Sequence, residues 1–115
     1  VIKNPVRALL LVLLAAAAVT ACGDGGGDLD PADAVATTEV DVFDNEFDPA
    51  VIQVATGDTV TWTWGGQNEH DVDGGEFASE VQATGEFTHT FETAGQFEYV
   101  CNIHSGMRGM VVVEG

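Results

Sequence analysis

Positive charge is nearly missing from this chain: three Lys or Arg stand against 19 Asp or Glu, a formal net charge of −16 over 115 residues. Gripping nucleic acid requires basic side chains that neutralise phosphates, so nucleic acid is excluded as a partner. Long apolar runs are missing too. The one continuous apolar or small-residue run, Ala8 to Val19, is shorter than the roughly 20 residues a membrane-spanning helix needs. After residue 36 no stretch shows the periodicity of an amphipathic helix. Cysteine occurs only twice, at Cys22 and Cys101, and the two sit in very different surroundings.

The first of them closes an N-terminal segment with its own grammar. Lys3 and Arg7 precede the apolar run, and Val19-Thr20-Ala21-Cys22 follows it. A basic start, a short apolar middle and a small residue before the cut describe an export signal at residues 1–21. The last four residues resemble the lipobox of bacterial and archaeal lipoproteins. That resemblance implies a lipidated Cys22 as the first mature residue and a protein anchored extracytoplasmically, at the outer face of the cell membrane. Residues 22–36, CGDGGGDLDPADAVA, are rich in Gly and Asp and lack apolar periodicity, so a flexible, self-repelling tether is expected. Removal of residues 1–21 leaves Arg108 as the sole basic residue against all 19 acids. The acids are spread along the chain, nine of them before Pro49, which suits solubility or adaptation to high salt better than steering towards one basic partner.

From Thr37 the pattern is that of strands. Val40 and Val42 alternate with Glu39 and Asp41; Val51–Val54 follows the Asp48-Pro49 turn; Thr59–Trp64 follows Gly57-Asp58. Phe87, His89 and Phe91 alternate with threonines, Phe97, Tyr99 and Cys101 with Glu98 and Val100, and Met110–Val113 closes the series. Short β-branched and aromatic runs between Gly, Asp and Pro signals predict an all-β sandwich or barrel over residues 37–115. Trp62, Trp64, Phe43, Phe47, Phe87, Phe91 and Phe97 are expected to supply much of its core.

A lipidated Cys22 leaves Cys101 with no disulfide partner, and an unpaired thiol outside the cytoplasm needs a reason. The segment CNIHSGMRGM (residues 101–110) offers one. Cys101 ends a predicted strand, and His104 and Met107 follow before the next, so a loop that wraps around can aim a thiolate, an imidazole and a thioether at one ion. A fourth donor must come from His70 or His89. His70 lies in a Gly-rich turn, where ligands are usually carried, and His89 lies inside an alternating strand, where a histidine is usually structural. His70 is therefore the expected ligand. Two imidazoles and a thiolate with a weaker axial thioether form the donor set of blue-copper electron-transfer sites. A coordination shell filled by protein has no place for substrate, which favours an electron carrier over an enzyme.

At these residues the chain resembles the cupredoxins, the plastocyanin-like small blue copper proteins. The resemblance runs from about Thr37 to Gly115. It rests on Phe47-Asp-Pro49, Gly57-Asp-Thr-Val-Thr-Trp62, His70-Asp-Val72, Phe87-Thr-His-Thr-Phe91, Gly95-Gln-Phe-Glu-Tyr99-Val-Cys101 and His104-Ser-Gly-Met107-Arg-Gly109. The spacing in the last block is similar to amicyanin and pseudoazurin, and the acidic, lipobox-bearing layout to halocyanins. The resemblance implies a Greek-key β-sandwich holding one type 1 copper ion, with His70, Cys101 and His104 as equatorial ligands and Met107 as the axial one. Met110 fits neither methionine spacing of the family and is expected in the core. The resemblance also implies an electron port at the edge of His104, near Ile103, Ser105 and Gly106. Two positions depart from the family: Asp71 stands where an Asn usually links the ligand loops, and Ile103 replaces a frequent Pro. Asp71 can still accept a hydrogen bond, for example from Asn102. Copper enzymes of related fold flank the cysteine with a histidine, whereas Cys101 lies between Val100 and Asn102. The expectation is a monomeric, membrane-tethered one-electron carrier serving redox proteins such as a basic cytochrome or a membrane oxidoreductase. A copper chaperone, store or oxidase-accessory factor on the same fold is the alternative.

Overall fold

A computed structural model describes residues 29–115. The expected signal segment at 1–21, the lipidation site Cys22 and the first part of the tether lie outside the described residues. Among the described residues, eight strands follow a 3-10 turn at Pro31–Asp33: β1 Val35–Ala36, β2 Glu39–Phe43, β3 Glu46–Asp48, β4 Val51–Ala55, β5 Thr59–Trp64, β6 Glu86–Thr90, β7 Gly95–Val100 and β8 Arg108–Glu114. They form two four-stranded sheets, ordered β1-β4-β8-β7 and β3-β2-β5-β6. This is the expected all-β sandwich. The chain changes sheet between β1 and β2, between β3 and β4, between β4 and β5, and between β6 and β7, so β2 and β5, and likewise β4 and β8, end up as parallel neighbours.

Alternation explains the core. In β2, Val40 and Val42 are buried and Glu39 and Asp41 are exposed; in β5, Val60, Trp62 and Trp64 are buried. Ile52, Val54, Tyr99, Val111 and Val113 meet them from the other sheet. Trp62 packs edge-on against Tyr99 across the sandwich, ring centroids 5.4 Å apart, and Tyr99 meets Phe47 at 4.7 Å. Each such pair contributes about 0.5–1.5 kcal/mol beyond the burial of its area. Tyr99 also lies against Gly109, where a Cβ would collide with the phenol ring.

Four features differ from the sequence reading. Order begins before Thr37: Asp30 caps the 3-10 turn by accepting from the Ala32 amide at 2.9 Å, and β1 pairs in parallel with β4. The segment 31–36 is therefore part of the domain rather than of the tether. Both residues of β1 are exposed, so no hydrophobic alternation marks it; what holds it is the backbone of β4. Strand β3 is only one residue longer than β1 and follows a turn in which Asn45 takes a positive φ of 74°. Among the expected core aromatics, Phe43, Phe87 and Phe97 are only half-buried, and Phe77 from the 65–85 loop packs on Trp62 in the interior. Met110 is buried as expected, but it neighbours Val111 in β8 and so projects to the opposite sheet face from the main core, beside Val51.

Candidate metal centre

Two loops meet at one end of the sandwich: 65–85, between β5 and β6, and 101–107, between β7 and β8. The shorter one is closed on itself. The Cys101 amide donates to the Met107 carbonyl at 3.0 Å, the Met107 amide to the His104 carbonyl at 3.3 Å, and Gly106 supplies a φ of +85° for the turn. This places His104 Nδ1 3.9 Å from Cys101 Sγ and buries Met107.

The longer loop holds His70 against that sulfur. The backbone of His70 exchanges hydrogen bonds with Gln82 at 3.0 and 3.1 Å, and its carbonyl accepts from the Trp64 indole N–H at 3.1 Å. The ring is fully buried, with Nδ1 3.8 Å from Cys101 Sγ. His70, Cys101 and His104 thus bring one donor atom each to within 4.8 Å of one another. First-row metal bonds of about 2.3 Å to sulfur and about 2.0–2.1 Å to nitrogen, spread roughly 120° apart, put S and N ~3.8 Å from each other. The observed separations of 3.8 and 3.9 Å match that figure, and the soft donor types suit copper. The remaining histidine, His89, stays in β6, stacked on Phe77 at 4.9 Å and edge-on to Phe91 at 4.8 Å. It takes no part in the cluster.

Asp71 joins the two loops. It is buried; one carboxylate oxygen accepts from the Asn102 amide at 2.7 Å and the other from the Asn102 side-chain nitrogen at 2.8 Å. The expected acceptor role for Asp71 is thus met with two bonds. The same Asn102 nitrogen donates to Asp73 at 2.9 Å, which holds the Asp73 carboxyl below its usual range. The peptide groups of Asp73 and Val100 also pair, at 2.9 and 3.0 Å.

One residue at the site was not visible from the sequence. Asp44, in the turn between β2 and β3, lies 3.0 Å from His70 Nε2 and accepts from the Gln67 and Asn68 amides. The His70 contact, followed by the Asn68 amide, lowers the Asp44 carboxyl below its ordinary value. Gly66 makes room, since a Cβ there would run into the Asp44 carboxylate. An acid in a turn is ordinary, and the 26-residue separation from His70 hides the pairing in the sequence. A hint was present only in the Gly65-Gly66 pair, which leaves backbone open to a close neighbour.

The comparisons with known proteins agree with this geometry. A family model described as a cupredoxin-like domain matches residues 7–113. The chain is 41% identical over 78 residues to a halocyanin of Natronomonas pharaonis, covering 59% of this chain and 48% of the relative. It is 33% identical over 84 residues to the chloroplastic plastocyanin of Tetradesmus obliquus, covering 59% and 58%. The chain therefore spans about half the length of these curated relatives. A purple cupredoxin from Nitrosopumilus maritimus superposes with a TM-score of 0.63 at 25% identity, over 68% of this chain and all of that one. The chain belongs to the cupredoxin-like family, and copper is its cofactor.

Proposed function

We propose that this protein is a blue-copper one-electron carrier, with His70, Cys101 and His104 as the equatorial ligands and Met107 as the axial ligand. The convergence of three donor atoms from two loops, two of the three residues buried, carries this reading. Copper held there supplies a Cu(II)/Cu(I) couple. Cys101 and Met107 give soft donors that favour the reduced ion, and the two imidazoles serve both states. Burial of His70, Cys101 and Met107 shuts out substrate and hinders exchange of the ion, which supports electron transfer over catalysis or copper delivery.

His104 is the least enclosed of the three residues in the cluster, and its neighbour Ile103 is 45% exposed. Val81, also exposed, precedes the Gln82 that pairs with His70. This apolar end serves as the docking face through which electrons pass to and from redox partners such as a cytochrome or a membrane oxidoreductase. A lipidated Cys22 holds the exported protein at the outer membrane face within reach of them. In a test on the full chain loaded with copper, one equivalent of reductant should bleach the blue absorption and reoxidation should restore it, with the metal retained throughout. Release of copper on reduction would contradict the carrier reading in favour of delivery.

A further inference from the structure

Asp44 belongs neither to the ligand set nor to the core, yet three separate groups converge on it. His70 Nε2 lies at 3.0 Å, the Asn68 amide at 2.9 Å and the Gln67 amide at 3.0 Å, all on one carboxylate oxygen, and Gln67 also reaches the second oxygen at 3.2 Å. The Asp44 side chain is 30% exposed and that of His70 fully buried, so the carboxylate closes the solvent side of an imidazole that water cannot reach. The absence of a side chain at Gly66 lets it approach.

We propose that Asp44 is a positioning residue that fixes the tautomer of His70 and biases the copper towards its oxidised state. The inference rests on the copper reading above and deepens it. A carboxylate is acceptor-only, so the His70 contact forms only with the proton on Nε2. The Nδ1 lone pair is then free and points at Cys101 Sγ, 3.8 Å away. A carboxylate behind a metal-bound histidine raises the basicity of the ring, and loss of such a partner typically weakens metal binding 10–100-fold. Its negative charge interacts more strongly with Cu(II) than with Cu(I), so the effect falls chiefly on the oxidised ion. The two backbone amides serve a second end. They tie the loop carrying His70 to the β2–β3 turn, so the ligand is held by an element of the opposite chain segment rather than by its own loop alone.

Two variants separate charge from scaffolding. Asp44→Asn keeps an acceptor oxygen for the loop amides and removes the charge; Asp44→Ala removes both. In the full chain, the ratio of Cu(II) to Cu(I) affinity should fall about tenfold in Asp44→Asn, which corresponds to a rise in potential of ~59 mV for a one-electron couple. In the copper-free protein at alkaline pH, the nitrogen shifts of His70 should report the Nε2–H tautomer in the wild type and a tautomer mixture in Asp44→Ala. An unchanged affinity ratio in Asp44→Asn, or an unchanged tautomer in a folded Asp44→Ala, overturns the proposal. The tautomer measurement involves no metal. A wild type with the Nε2–H form but no blue adduct would therefore defeat the copper reading and leave the tautomer role of Asp44 standing.

Discussion

His70 and His104 present the same imidazole to the same sulfur from 3.8 and 3.9 Å, yet the chain mounts them in opposite ways. His70 sits in the long loop, fully buried, with its backbone paired to Gln82, its carbonyl held by Trp64 and its far nitrogen on Asp44. His104 sits in the short loop, less enclosed; its ring meets Cys101 Sγ and the ring of His70, and its carbonyl accepts from the Met107 amide within the same loop. The long loop needs outside fasteners because loop closure alone leaves it many conformations. The short one is fixed by its two strand ends and its own hydrogen bonds. The difference teaches that one histidine is anchored and the other is kept near the surface, the division that the proposed electron carrier would use.

The sharpest way to break the comparison is to delete each ring. His70→Gly removes a fully buried side chain and orphans its partners, at a cost of about 2–4 kcal/mol. For a domain of this size that lowers Tm by roughly 10–20 °C, and added imidazole should not restore the blue colour. His104→Gly should cost under about 1 kcal/mol, and imidazole should enter the gap and restore colour. Calorimetry and absorption decide it: equal losses, or rescue of His70→Gly, would erase the distinction.

A smaller effect tests the joint between the loops. Asp71→Ala leaves the Asn102 amide without its acceptor while Asp73 still holds the side-chain nitrogen. A fully buried donor left unsatisfied costs about 1–3 kcal/mol. Asn102 is exposed and this bond half-buried, so the loss falls at or below the low end of that range, and hydrogen exchange at the Asn102 amide should speed up with it. Unchanged protection there would mean that Asp73, through its backbone pair with Val100 and its carboxylate on Asn102, joins the loops without Asp71.

The smallest change concerns the two methionines. Met107→Leu should keep the blue band and raise the potential. Met110→Leu, on the far face of the β4–β8 pair, should shift it less, and both should cost under about 1.5 kcal/mol as volume-conserving replacements. Electrochemistry on the pair checks this; a larger shift from Met110 would reverse the axial assignment.

The sequence made these elements legible to unequal degrees. Strands β2 and β5 announced themselves because one face of each is buried, β8 by its run of valines, and Cys101, His104 and Met107 because their donors sit in one loop. His70 was legible by its Gly-rich turn, and Asp71 by the resemblance, which puts a loop-linking residue at that position. What stayed hidden depends on contacts made in space. Strand β1 has no buried side chain, Phe77 is a core aromatic delivered by a loop, and Asp44 meets His70 only after β2 and β5 pair side by side. Local pattern records a residue's own neighbours along the chain, and these three acquire their roles from partners elsewhere.

The central claim is that Cys101 and two histidines hold one copper ion in a blue site. Titration of the copper-free protein with Cu(II), followed by absorption and electron paramagnetic resonance, tests it directly. One equivalent should produce an intense sulfur-to-copper charge-transfer band with narrow hyperfine splitting, and Cys101→Ser should give neither. A colourless adduct of the wild type, or a blue one that survives Cys101→Ser, would contradict the account.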